Sequence, residues 1–201
     1  MKVAIVNPPY PLEEAPSPPL GVCYVAGAFL RAGCEVKIFD FLVCKYTPRK
    51  LKDAIDAFKP DVIGSTSVTM NFKAAAAIIT AAKRHNPAII TMMGGPHVSF
   101  DWRNTLATYP EIDLVVLGEG EQTLQELIPH IENREAWGSI PGLAFRHDGE
   151  IVTSGPRAFI SDLDSLPVPA RHLLPMSRYL ALGFPVSIIT SRGCPNQCIF
   201  C

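Results

Sequence analysis

Cys194, Cys198 and Cys201 stand at the spacing Cys-x3-Cys-x2-Cys, directly after the apolar run of residues 184–190. A loop this short aims three sulfurs at one point, which a soft metal ion or an iron–sulfur cluster requires. Three thiolates on a four-iron cluster leave one iron open to a small molecule, whereas zinc would take a fourth ligand from elsewhere. A disulfide fits poorly, since three neighbouring thiols cannot pair evenly. Spacing alone leaves a cluster, a zinc site and unrelated thiols all open. Two further stretches carry site-like residues: Gly94-Gly95-Pro96-His97 and Gly118-Glu119-Gly120-Glu121, with the hydroxyls of Ser65, Thr66, Ser67 and Thr69 upstream.

These residues need elements to position them. Apolar runs over residues 3–7, 35–40, 62–66, 88–93 and 113–117 alternate with helical patterns over 20–32, 48–58, 71–85, 101–107 and 122–131. Asn71 is placed to cap the third helix, and Lys83, Arg84 and His85 complement the negative end of its dipole. Five β–α alternations with short connections specify the α/β class. The expected fold is a flavodoxin-like (Rossmann-like) five-stranded parallel sheet, strand order 2-1-3-4-5, with helices on both faces. The rhythm then changes. Residues 143–146 and 151–153 flank Asp148-Gly149, a hairpin signal. Residues 161–179 are proline-rich and read as an extended linker, and 185–190 as a strand without partners. The expected division is a first domain over 1–135, a hairpin and linker over 136–184, and the start of a second domain over 185–201.

In an open parallel sheet, ligands bind beyond the carboxyl ends of the strands. The loop after the first strand has neither Gly-x-Gly-x-x-Gly nor a Walker A sequence, and its prolines lack N–H donors. Nicotinamide and nucleoside triphosphates are therefore disfavoured, and Asp40 reads as a capping or surface acid. Glu119 and Glu121 would repel a phosphate and suit the positive end of a helix dipole. Glycines after buried strands mark places where something approaches the backbone closely. A broad, uncharged ligand bearing many amides fits this lining.

Composition narrows the partners. The 201 residues carry a formal charge of −1 without a basic stripe, so nucleic acid is not expected. No segment reaches the ~18 consecutive apolar residues of a membrane span, and the N-terminus reads as a strand rather than a signal peptide. A cytoplasmic, thiol-reducing compartment is expected, where the terminal cysteines act as ligands rather than bridges.

The stretch Thr190-Ser191-Arg192-Gly193-Cys194-Pro195-Asn196-Gln197-Cys198-Ile199-Phe200-Cys201 resembles the cluster loop of radical S-adenosyl-L-methionine (SAM) enzymes. The resemblance implies a 4Fe-4S cluster held by Cys194, Cys198 and Cys201, SAM on the open iron, and reductive cleavage to a 5′-deoxyadenosyl radical. It also places Phe200 near the adenine.

Gly94-Gly95-Pro96-His97, Gly118-Glu119-Gly120-Glu121 and Asp162-Leu163-Asp164-Ser165-Leu166-Pro167 resemble the cobalamin-binding domain that precedes the barrel in a large radical SAM subfamily. The corrin contacts implied are Thr66, Ser67, Val68, Gly94, Gly95, His97, Gly118 and Glu119. Cobalamin domains that use a protein His carry Asp-x-His-x-x-Gly after the first strand. Here that loop begins Asn7-Pro8-Pro9-Tyr10, so no protein His is expected on cobalt and His97 is expected to stabilise its loop.

The function implied is the N-terminal part of a cobalamin-dependent radical SAM enzyme of methyltransferase type. It would act on a small-molecule substrate and draw electrons from a flavodoxin or ferredoxin. The alternatives are a non-catalytic corrinoid- or flavin-binding module, and a methylthiotransferase-like protein with a second cluster on Cys23, Cys34 and Cys44, which do not share a loop. With the chain ending at Cys201, this polypeptide alone is expected to be inactive, with 187–201 an unsupported edge or tail.

Overall fold

The computed structural model describes residues 1–11, 17–196, 198 and 199. The chain runs through β1 (Lys2–Asn7), α1 (Leu20–Arg31), β2 (Glu35–Asp40), α2 (Pro48–Phe58), β3 (Val62–Thr66) and α3 (Phe72–His85). It continues through β4 (Ile90–Gly94), α4 (Pro96–Thr108), β5 (Leu114–Val116), α5 (Gly120–Leu127), β6 (Leu143–His147), β7 (Glu150–Thr153) and α6 (Met176–Ala181). One sheet holds all seven strands in the order β2-β1-β3-β4-β5-β6-β7.

The first five strands pair in parallel in the expected order. The hairpin does not stand apart as a connecting unit: β6 pairs antiparallel with β5, and β7 with β6. The reason lies in β5, only three residues long and buried throughout. Its outer backbone groups need a ladder partner away from water, and Leu143, Ala144 and Phe145 supply one while burying their own side chains.

Alternate strand residues point to opposite faces. Val3, Ile5, Val62, Met92, Leu114 and Val116 join α1 and α5 in one core layer. Ala4, Val6, Ile63, Met93 and Val115 join α2, α3 and α4 in the other. The alanines of α3, Ala75, Ala76 and Ala82, let that helix lie close to the sheet. Asn71 does not cap α3. Its Oδ1 accepts instead from Val68 N at 2.9 Å and closes the β3–α3 loop.

The proline-rich segment is strapped to the first domain. A Cβ on Gly27 would lie 2.7 Å from Val168 O, so this glycine lets the strap touch α1. Ala170 N donates to Cys23 O at 2.9 Å, and Arg31 Nη1 to Ser165 O at 2.5 Å. Helix α6 then docks at the sheet end. Fully buried Tyr179 donates to Asp40 Oδ2 at 2.6 Å, while Asp40 Oδ1 accepts from Asn7 Nδ2 at 2.9 Å. Asp40 is therefore a buried docking acid rather than a surface one.

Residues 185–190 form no strand. The expectation of a strand rested on their apolar character, but a ladder needs a partner. Nor is the chain from 187 onward wholly unsupported: Arg171 Nη2 donates to Ser187 O at 2.7 Å, and Arg192 reaches Glu121 on α5 and Glu119 just before it.

The amino ends of β4 and β5 are locked by charge. Asp113 accepts from Lys83 Nζ at 2.7 Å, from Arg134 Nη2 at 2.8 Å and from Thr91 N at 2.8 Å. Burial opposes its ionisation, but hydrogen bonds from Lys83 and Thr91 outweigh burial and hold the carboxyl below its ordinary 3.8. A carboxylate lowered in the folded state contributes stability above its unfolded value and loses it as pH falls through the folded value. We predict that Asp113→Ala costs about 3 kcal/mol at neutral pH. Below about pH 4 the parent loses stability faster than the variant, so the gap narrows in denaturant titrations.

Candidate cofactor-binding site

The loops at the carboxyl ends of β3, β4 and β5 are joined by a few short hydrogen bonds. Ser67 N donates to Gly94 O at 2.9 Å, and His97 N to Ser67 O at 3.3 Å. The Ser99 hydroxyl accepts from Gly118 N at 3.0 Å and donates to Gly95 O at 3.0 Å. One serine on α4 thus ties two glycine loops together.

Beneath these loops lies a cleft of about 90 Å³ between the sheet and helices α1 and α5. Its floor includes Ile5, Met92 and Val116, and its helical walls include Val22, Phe29 and Leu124. Glycines form much of its rim. A Cβ on Gly64 would come within 2.9 Å of Met92 Cγ, and one on Gly94 would make ordinary contact with Val116 O at 3.8 Å, whereas Gly21 and Gly118 have nothing within 4 Å of the absent Cβ. Gly95 has φ +99°, and a Cβ there would lie 2.7 Å from both Ser67 O and Thr66 Oγ1. No ionisable residue is among the described residues lining the cleft. Such a lining accepts a flat, neutral, largely apolar group and gives no cationic grip on a phosphate.

Four of the expected contact residues, Thr66, Gly94, Gly95 and Gly118, line this cleft. Ser67 is fully buried beside it, with its hydroxyl unpartnered. Val68 is held in the β3–α3 loop by Asn71 and does not line the cleft. His97 Nδ1 lies 3.2 Å from Thr69 Oγ1, and its ring packs on Phe72 at 4.1 Å between centroids. Its Nε2 is buried, 3.8 Å from Asp101 Oδ2. His97 thus holds neighbouring loops together. The helical walls were missed from sequence, because apolar residues lining a cleft follow the same periodicity as those packed in a core.

Glu119 and Glu121 open α5 and answer a cation rather than solvent alone. Arg192 reaches Glu121 Oε1 at 2.6 Å and Glu119 Oε1 at 3.3 Å, with its guanidinium 5.0 Å from the Tyr24 ring centre. The other oxygen of Glu119 accepts from Ile160 N at 2.7 Å. Hydrogen bonding to Glu121 pushes the Arg192 guanidinium still higher than its ordinary range.

Of the thiol trio, Cys194 and Cys198 are exposed, while Cys201 and Phe200 lie outside the described residues. No three His, Cys, Asp or Glu side chains converge on one point among the described residues. Cys23 is buried on α1, and burial pushes its thiol up to about 11. Cys34 is buried just before β2, and Cys44 lies beyond its end.

The family model of the B12 binding domain matches residues 14–128, the span that runs from before α1 through α5. The chain belongs to that family. An uncharacterized methyltransferase of Pyrococcus horikoshii is 37% identical over 209 residues, covering 100% of this chain and 45% of its own length. The anaerobic magnesium-protoporphyrin IX monomethyl ester cyclase of Synechocystis is 30% identical over 210 residues, covering 100% of this chain and 42% of its own. The chain thus spans less than half the length of these curated relatives. The cobalamin-dependent SAM radical enzyme OxsB, solved with aqua-cobalamin and SAM bound, superposes with a TM-score of 0.84 at 22% identity. That match covers 100% of this chain and 28% of OxsB, and it shows a shared fold.

Two glycine substitutions separate strain from space in this B12-binding domain. Gly118 also has positive φ, at +65°, but nothing lies within 4 Å of its absent Cβ. We predict that Gly118→Ala costs about 1 kcal/mol. Gly95→Ala, strained and colliding with the Thr66–Ser67 loop, costs about 3 kcal/mol or more. Thermal or denaturant melts of the two variants measure the contrast.

Proposed function

We propose that the glycine loops at the carboxyl ends of β3, β4 and β5 hold cobalamin, with the cleft beneath them taking part of it, and that the chain is the N-terminal part of a cobalamin-dependent radical SAM enzyme of methyl-transferring type. The observation that carries this reading is the uncharged, glycine-rimmed cleft at the carboxyl ends of β3, β4 and β5, inside the span matched by the B12 binding domain. Two observations argue that the residues present fit the group. Gly118 on the rim has nothing within 4 Å of where a side chain would begin, and the buried Ser67 hydroxyl beside the rim has no partner. Thr66, Gly94, Gly95 and Gly118 would hold the cofactor at the rim, and Val22, Phe29 and Leu124 would exclude water beneath it. His97, engaged with Thr69 and Phe72, stays off the cobalt. When bound, cobalamin supplies a metal centre able to accept and give up a methyl group.

Cys194, Cys198 and Cys201 are the proposed thiolates for a 4Fe-4S cluster, which supplies single electrons to SAM, with Phe200 beside the adenine. A small-molecule substrate and an electron donor of flavodoxin or ferredoxin type complete the reaction. Methyl transfer is favoured by the name of the Pyrococcus horikoshii relative, and the cyclase of Synechocystis marks the range of chemistry among similar chains. The proposed domain division changes in one respect: the hairpin β6–β7 belongs with the first domain, because it completes that sheet.

Two measurements test this reading. After mixing with hydroxocobalamin and desalting, the chain is expected to retain corrin absorbance. Gly94→Leu, which fills the cleft at a position of ordinary φ, is expected to weaken binding at least about tenfold while the fold persists. After anaerobic reconstitution with iron and sulfide, about four irons per chain are expected, falling sharply in Cys194→Ala. Corrin retained without iron favours a binding module alone. Loss of corrin on desalting, with zinc on the thiols, overturns the proposal.

A further inference from the structure

Glu121 is a carboxylate with its side chain 6% exposed, placed in the first turn of α5. A helix N-terminus stabilises such a charge by less than about 1 kcal/mol when exposed, too little to offset the burial of an unpaired carboxylate. The compensating charge comes from 71 residues away: Arg192, which meets Glu121 Oε1 at 2.6 Å and Glu119 Oε1 at 3.3 Å. The same guanidinium lies over Tyr24 on α1 at 5.0 Å. Tyr24 sits in sequence between Val22 and Val25, and Glu119 and Glu121 flank Gly120; Val22, Val25 and Gly120 all line the cleft. Arg192 therefore spans the two helical walls of the cleft at one point. It also stands two residues before Cys194, so that thiol's backbone stays within about 7 Å of the pinned residue.

We propose that Arg192 is a positioning residue that latches the thiol-bearing loop across the α1 and α5 walls of the cleft. The inference rests on the reading of that cleft as the cofactor site, and it assigns Arg192 the task of holding thiol loop and cleft in one register. The chemistry requires arginine. A planar guanidinium pairs with two carboxylates and stacks on a ring at once, whereas an ammonium is a single point charge on a flexible stem. Glu119 adds a second tie, because its remaining oxygen holds Ile160 N at 2.7 Å, so the strap and the thiol loop meet on one carboxylate.

Trypsin reads the latch directly, since it cleaves after arginine or lysine and a latched side chain is withheld from it. Cleavage of the 192–193 bond, followed by mass spectrometry below the melting temperature of every variant, is expected to be slowest in the parent. It rises about threefold in Arg192→Lys and about tenfold in Glu121→Gln, because cleavage tracks the open population of the segment. Tyr24→Leu, which leaves both carboxylates in place, is expected to speed cleavage by about twofold and serves as the second probe where Glu121→Gln destabilises the fold. Hydroxocobalamin is expected to slow the cut in the parent and to have little effect in Glu121→Gln. Equal cleavage rates in parent, Arg192→Lys and Tyr24→Leu overturn the latch. A preserved rate order with no response of the parent to hydroxocobalamin supports the latch and overturns the cofactor reading of the cleft.

Discussion

Under the carboxyl ends of the strands, the core between sheet and helices stops short where glycines interrupt its apolar side chains. Gly64 leaves its place to the Met92 side chain, Gly118 has nothing within 4 Å of its absent Cβ, and Gly95 can adopt its positive φ without striking the Thr66–Ser67 loop. Everything at that end is arranged around this gap. The Ser99 hydroxyl and the Ser67 backbone knit the loops, while α1 and α5 present only apolar residues to the space. A close-packed interior does not leave such room by accident of composition, since larger side chains would fill it.

The two ends of the sheet divide the work. At the amino ends of β4 and β5, Asp113 gathers Lys83, Arg134 and Thr91 into a mostly buried polar lock. Next to it Arg146 donates to the carbonyls of Ile112, Leu106 and Tyr109, tying β6 to the end of α4. The carboxyl end keeps its charges off the cleft and uses them to dock chain segments instead. Asp40 receives Tyr179, and Glu119 and Glu121 receive Arg192.

Legibility followed the range of the interactions. The order of the five parallel strands could be read because each apolar run and each helical repeat is a local pattern, and chirality with short connections restricts how they join. The place of the hairpin could not, because Asp148-Gly149 specifies a turn and says nothing about β6 seeking the exposed flank of β5. Residues 185–190 have strand-like composition but no neighbour to pair with, and composition does not reveal a missing neighbour. Asn71 has the side chain of a cap, yet the amide of Val68 was nearer. At the candidate site, Thr66, Gly94, Gly95 and Gly118 were legible as loop residues at strand ends. Arg192 was not, because its meaning lies in two carboxylates more than seventy positions upstream.

The strap from Ile160 to Leu174 gives the molecule a property that no single contact supplies. By running over α1 and returning to the sheet end through Tyr179, it brings the segment around Arg192 to Glu119 and Glu121 at the start of α5 by way of its own backbone. Their meeting is intramolecular, governed by an effective concentration that does not fall when the protein is diluted. Much of the orientational entropy of bringing these two distant segments together is then already spent when the chain folds.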